Sequence, residues 1–186
     1  MQAHASARPM SAEEYLESEP AAEARREYLA GQLYAMAGSS DRPNTIALTL
    51  AAELRARLKS GPSRVFITDM KVRVREADTF YYPDVFVTCD PADREPLWKE
   101  HPKAVFEVLS PTTEATDRRE KLLVDRLLSS LEEYVLVSQD RRRVEVFRRA
   151  AAWQPVELAG EEVLRLESLG VELELADVYA GILQGV

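Results

Sequence analysis

The chain has 186 residues, 46% hydrophobic and 30% charged, with a formal net charge of −8, a balance typical of a globular protein long enough to bury one sizeable core. A single cysteine, Cys89, excludes an internal disulfide, and two histidines, His4 and His101, exclude a zinc-type Cys/His cluster. No apolar run approaches the roughly 20 residues of a membrane span and no leader pattern opens the chain, so a cytoplasmic protein with no membrane partner is expected; the acidic balance argues against sequence-blind coating of nucleic acid.

Residues 1–10 read as a flexible N-terminal arm and residues 11–186 as a single domain. Ser11-Ala-Glu-Glu14 is a capping-box pattern that predicts a short helix from about Ala12 to Glu17, stopped by Pro20. Arg25 to Met36 reads as a hairpin turning at Ala30-Gly31. From Asn44 to Lys59, Ile46, Leu50, Leu54 and Leu58 recur every four residues, the spacing of one helix face, and Gly61-Pro62 ends it.

A β-rich middle follows. Arg64 to Arg75 alternates between apolar Phe66, Met70, Val72 and Val74 and polar Lys71, Arg73 and Arg75, which predicts a strand with one wet face. Phe80 to Thr88 and Ala104 to Leu109 are apolar on both faces, as in central strands, and Asp90 to Lys103 reads as a polar loop. Glu114 to Leu131 predicts a helix with an apolar stripe of Leu123, Val124, Leu127, Leu128 and Leu131. Strands are expected at Glu133–Val137, Arg143–Arg148, Trp153–Leu158 and Val171–Leu175, and a last helix at Ala176–Leu183. This order gives an α/β fold with a mixed sheet, and the passage from the Glu107 strand through the long helix to the Glu133 strand fits a right-handed β-α-β crossover. The clusters of arginine and lysine along the chain read as solvated faces.

Two of the central strands carry acids. Asp84 lies in Tyr-Tyr-Pro-Asp-Val and Glu107 in Phe-Glu-Val-Leu-Ser. A buried carboxylate must be protonated, paired or bound to a metal. Two that share a site repel unless a cation lies between them, and oxygen ligands suit Mg²⁺ or Mn²⁺. Lys121 falls on the border of the predicted helix's core-facing stripe, close enough to reach back to both acids, with Asp117 four residues earlier on the same side. Plainer readings exist for each residue. Asp117 and Lys121 make an ordinary surface pair, Glu107 pairs with an arginine such as Arg73, and Asp84 is a turn residue after a proline. Asp69 is a further acid near the sheet, readable either as a strand-end residue or as part of a site.

The blocks Glu27-Tyr-Leu-Ala-Gly31, Tyr82-Pro-Asp-Val85, Glu107-Val-Leu-Ser-Pro-Thr112, Asp117-Arg-Arg-Glu-Lys121 and Glu133-Tyr-Val-Leu-Val137, in this order, resemble the PD-(D/E)XK nuclease superfamily. They are closest to its bacterial Uma-type family of restriction endonuclease-like proteins, over roughly Ser11 to Leu183. The resemblance implies a restriction-endonuclease-like mixed sheet flanked by helices. It implies a Mg²⁺-dependent DNA endonuclease, with Mn²⁺ as a substitute, in which Asp84, Glu107 and the backbone carbonyl of Val108 hold the metal. Lys121 is then the motif lysine displaced onto the helix, since Leu109 occupies its usual place. Glu27 matches a recurrent acidic position, an auxiliary ligand or a structural partner. Asn44 stands where relatives often carry a histidine, and it cannot shuttle a proton at neutral pH. Family members commonly pair, so a homodimer is expected, with Trp153 and Leu164 as candidates for apolar contact area and Trp153 equally readable as core.

A second reading is a catalytically inactive relative that uses the fold to bind nucleic acid or to assemble; the net charge and Asn44 favour it. A glycosidase using the paired acids is a third, and Lys121 speaks against it.

Overall fold

The computed structural model describes residues 8–36, 38–110 and 121–183. Asp117 and the first seven residues of the expected Glu114–Leu131 helix lie outside them; of the described remainder only Leu122–Asp125 is α-helical, and residues 126–131 are turn and irregular chain. Helix α1, Ala12–Ser18, starts as its capping box predicts: Glu14 N–H donates to Ser11 Oγ at 3.2 Å and Ser11 N–H to Glu14 Oε2 at 2.9 Å. Strands β1, Arg26–Leu29, and β2, Gln32–Ala35, form the expected hairpin. Its turn has positive φ at Ala30 and Gly31, and a Cβ on Gly31 would sit 2.6 Å from the Pro9 side chain, so only glycine fits there. Helix α2, Asp41–Leu58, buries Ile46, Leu50, Leu54 and Leu58, the face its spacing marks.

The expected strand from Arg64 to Arg75 is two strands in two different sheets. β3, Arg64–Ile67, ends in a turn closed by Met70 N–H on Ile67 O, and β4, Lys71–Val74, begins after it. Asp69 at the turn tip makes the break; alternation runs on through it because a turn can preserve the period of two. Phe80–Thr88 is likewise split into β5, Thr79–Tyr81, and β6, Val85–Thr88. Pro83 supplies no amide hydrogen and cannot extend a central ladder, so the chain leaves one sheet at Tyr81 and enters the other at Val85. Asp84 therefore sits at a corner between sheets and not within a strand.

The remaining strands are β7, Trp98–Lys99, inside the expected loop; β8, Pro102–Leu109; β9, Glu133–Ser138; β10, Arg143–Arg148; β11, Pro155–Ala159; β12, Val163–Leu166; and β13, Val171–Glu174. Two short helices complete the described chain, α3 at Leu122–Asp125 and α4 at Leu175–Val178. A six-stranded sheet runs β11-β10-β9-β8-β6-β3 and a five-stranded one β2-β1-β5-β4-β7, with β12-β13 a separate hairpin. β8 and β9 are parallel while their other neighbours are antiparallel, so the fold is the expected mixed α/β and the β8–β9 connection is a crossover.

One face of the six-stranded sheet, with Val85, Phe106, Val108 and Val135, packs on α2 and the C-terminal hairpin. The other, with Phe86, Val105, Leu109 and Leu136, packs on Leu122, Leu128 and Leu131 and on Val72 and Tyr81 of the second sheet. Leu123 and Leu127, expected on the buried stripe, are exposed; Leu122 takes the core position, which shifts the buried face of α3 by one residue. Lys71, expected on a wet face, is buried under the Tyr15 and Tyr82 rings. Trp153 and Leu164 are buried, so neither supplies the contact area expected of a dimer face. No helix among the described residues is long and apolar enough to cross a membrane.

Candidate active site

The candidate site forms at the corner between the two sheets. Continuing the β6–β8 register by one residue sets Asp84 opposite Glu107. The two acids are tied through backbone amides at the corner: Val108 N–H donates to Asp84 Oδ2 at 2.7 Å, and Asp84 N–H donates to Glu107 Oε2 at 3.3 Å. Pro83 makes this possible, because ending the ladder at Tyr81 turns the Asp84 amide and carboxylate toward the next strand.

Lys121, the residue immediately before α3, reaches the same place. Its ammonium lies 3.3 Å from Glu107 Oε1 and 3.5 Å from Glu27 Oε1. Glu27 arrives on β1, which pairs with β5 through Tyr28 and Phe80. The Glu107, Glu27 and Lys121 side chains are only 3%, 8% and 17% exposed, so salt screens these pairs little. Leu109, at the position where the motif lysine usually stands, is buried in the apolar cluster.

Of the remaining expected residues, Asp69 is exposed and pairs with Arg25, and Asn44 is exposed in the first turn of α2. No described hydrogen bond or ion pair joins either to Asp84, Glu107 or Lys121. Arg73, the plainer partner suggested for Glu107, instead pairs with Glu100 at 3.7 Å.

Two residues of the site escaped the sequence reading. Tyr81 O–H donates to Asp125 Oδ1, and the Lys121 ammonium lies 5.9 Å from the centroid of the Tyr81 ring. Both side chains are buried. Burial first, and then the neighbouring Asp125 carboxylate, hold the Tyr81 phenol well above its ordinary range, so it remains a donor at neutral pH. The available signal was the i, i+4 spacing of Lys121 and Asp125, which Leu123 and Leu127 obscured by suggesting a different buried face.

The donor set fits a hard divalent cation. Among the described residues no group of three or more His, Cys, Asp or Glu side chains is gathered for a metal. Mg²⁺ asks for less: one or two carboxylates, with waters and substrate phosphate completing its shell. The bonded pair of Asp84 and Glu107 meets that requirement, and nitrogen or sulfur ligands that would suit zinc are lacking in it.

A mixed sheet with a parallel β8–β9 crossover flanked by helices is a restriction-endonuclease-like fold. The fold agrees with a crystal structure of a putative nuclease belonging to DUF820 from Anabaena variabilis, at a TM-score of 0.74 and 19% identity over 92% of this chain and 98% of that one. The chain belongs to the Uma2 family, "Putative restriction endonuclease", whose model matches residues 12–177. Two uncharacterized proteins of Synechocystis sp. are similar along most of their length: slr1290, 32% identical over 98% of this chain and 99% of its own, and sll1609, 29% identical over 82% and 89%.

Proposed function

We propose that this protein is a Mg²⁺-dependent DNA endonuclease that hydrolyses phosphodiester bonds. The observation that carries the reading is the joining of Asp84 to Glu107 and Val108 through backbone amides, with the Lys121 ammonium 3.3 Å from Glu107. Asp84, Glu107 and the backbone carbonyl of Val108 would hold Mg²⁺, or Mn²⁺ in its place, which supplies an activated water and polarises the scissile phosphate. Lys121 brings a positive charge to the phosphoryl oxygens, where negative charge grows in the transition state. Glu27 shares that ammonium with Glu107 and limits where it can point. Leu136 lies opposite Glu107 in the β8–β9 register, and the buried cluster that it forms with Leu109 and Tyr81 lowers the local dielectric on that side, which strengthens these interactions. Cutting both strands of a duplex calls for two such sites, so the working form is a homodimer.

The test is cleavage of supercoiled plasmid with Mg²⁺, Mn²⁺ or chelator. Metal-dependent nicking or linearisation that disappears in Asp84→Ala is expected; an Asp84→Ala protein that cuts as well as the parent would overturn the reading. One observation favours a non-catalytic binding or assembly module instead: Lys121 already pairs with both Glu27 and Glu107, which compensates the acids without a metal. DNA binding without saturable Mg²⁺ binding would decide for that module.

A further inference from the structure

We infer that Tyr81 and Asp125 form a positioning pair that fixes the Lys121 ammonium at the site; the catalytic meaning of this, though not the positioning itself, rests on the nuclease reading.

A lysine ammonium is a compact charge on a flexible stem, and it needs an external frame to hold one place. Glu27 and Glu107 attract it from two sheets. Lys121 stands directly before the first residue of helix α3. Asp125 closes the frame. It lies four residues after Lys121, one helical turn on, and accepts from the Tyr81 hydroxyl. Tyr81 in turn is fixed by β5, where it pairs with Val72 of β4. Its ring then lies at the outer reach of a cation–π contact with the same lysine, 5.9 Å from the ammonium. The path from Lys121 along one turn to Asp125, across to the Tyr81 hydroxyl and back through the ring is closed.

The arrangement is also costly unless it serves something. Asp125 is fully buried, and an apolar residue of similar size packs a core without a charge to compensate. A tyrosine and an aspartate here add direction, because one hydroxyl and one carboxylate oxygen define a single approach of α3 to β5.

The test compares Tyr81→Phe, Asp125→Ala and Asp125→Asn with the parent. The first readout is the rate at which an amine-acetylating reagent modifies Lys121 in metal-free protein, measured by peptide mass spectrometry against the exposed Lys59. Loss of the frame raises the relative rate at Lys121 about tenfold in Tyr81→Phe and Asp125→Ala. The double variant adds little, since both changes break one bond. Asp125→Asn keeps an acceptor for the hydroxyl and falls between parent and Asp125→Ala. The second readout is plasmid cleavage, where Tyr81→Phe lowers kcat on the order of 10- to 100-fold with KM for DNA unchanged. Tyr81→Phe removes one oxygen, so it reports even if Asp125→Ala does not fold. A lower melting temperature with unchanged Lys121 acetylation would reduce the pair to a packing feature and overturn the inference. A parent that does not cleave DNA would sink the nuclease reading alone, and the acetylation rates would still decide this one.

Discussion

Glu107 and Glu133 are both buried glutamates on adjacent strands of one sheet, yet their surroundings differ in kind. Glu133 stands alone among donors: Arg148 at 3.2 Å, the amides of Glu167 and Ser168, and the Ser168 hydroxyl. It pins the turn before β13 to the start of β9 and needs nothing further. Glu107 is gathered with other acids, bonded to the amide of Asp84 and sharing Lys121 with Glu27. The sequence motif quality of the two is similar, since each sits in an apolar strand. What separates a structural acid from a candidate catalytic one is whether its partners are fixed donors or other carboxylates around a shared cation.

The largest effect that could break this contrast is on cleavage. Glu107→Ala should lower plasmid cleavage at least ~10³-fold with the folded state retained by circular dichroism. Glu133→Ala should keep cleavage per folded molecule. Its loss should appear as stability, about 3 kcal/mol by urea unfolding, because Arg148 and three donors lose their acceptor. Comparable cleavage losses in both variants would erase the distinction.

Metal binding sharpens it next. Mg²⁺ at 100 times its dissociation constant should stabilise the parent by about 2.7 kcal/mol, a rise of roughly 5–10 °C in melting temperature, and Asp84→Ala by much less. An equal rise in both would place the bound ion elsewhere.

The smallest effect comes from a second pair, the lysines. Lys121 is held among carboxylates, whereas Lys71 is buried over the Tyr15 and Tyr82 rings, and burial, partly offset by Glu19, lowers its pKa from the ordinary 10.5. A depressed folded-state value means that the unfolded chain binds the proton more tightly. Stability tied to Lys71 is thus present above pH 10.5 and lost as pH falls through the lowered value. Lys71→Met should raise stability at neutral pH by about 1 kcal/mol, and the gap should close as pH rises toward 10.5. Lys121→Met should do the opposite at neutral pH, since it strands Glu27 and Glu107. Urea unfolding of both variants across this range measures the two signs.

Much of the frame was legible residue by residue. The Ser11–Glu14 capping box and the four-residue spacing of α2 are local signals, and both hold in the structure. The apolar flanks of Glu107 announced a buried strand, and the Glu133 strand is its parallel neighbour as the expected crossover requires, while the helix expected to reach Leu131 ends at Asp125. Less legible was where alternating strands break. The Arg64–Arg75 run keeps its period of two across a change of sheet and the Phe80–Thr88 run is apolar on both faces throughout, so periodicity could not find the corner that aims Asp84. The buried face of α3 was misjudged because five apolar residues within nine positions allow more than one stripe.

The chain by itself determined which residue types could do chemistry and which segments would be buried, because periodicity, capping and proline act within a few residues. Only the tertiary structure decided that Glu27 meets Lys121, that Asp84 is bonded across the corner to Glu107 and Val108, and that Asp125 takes the Tyr81 hydroxyl. Those contacts join residues of different sheets and a separate helix, and no local spacing encodes how two sheets fold over each other.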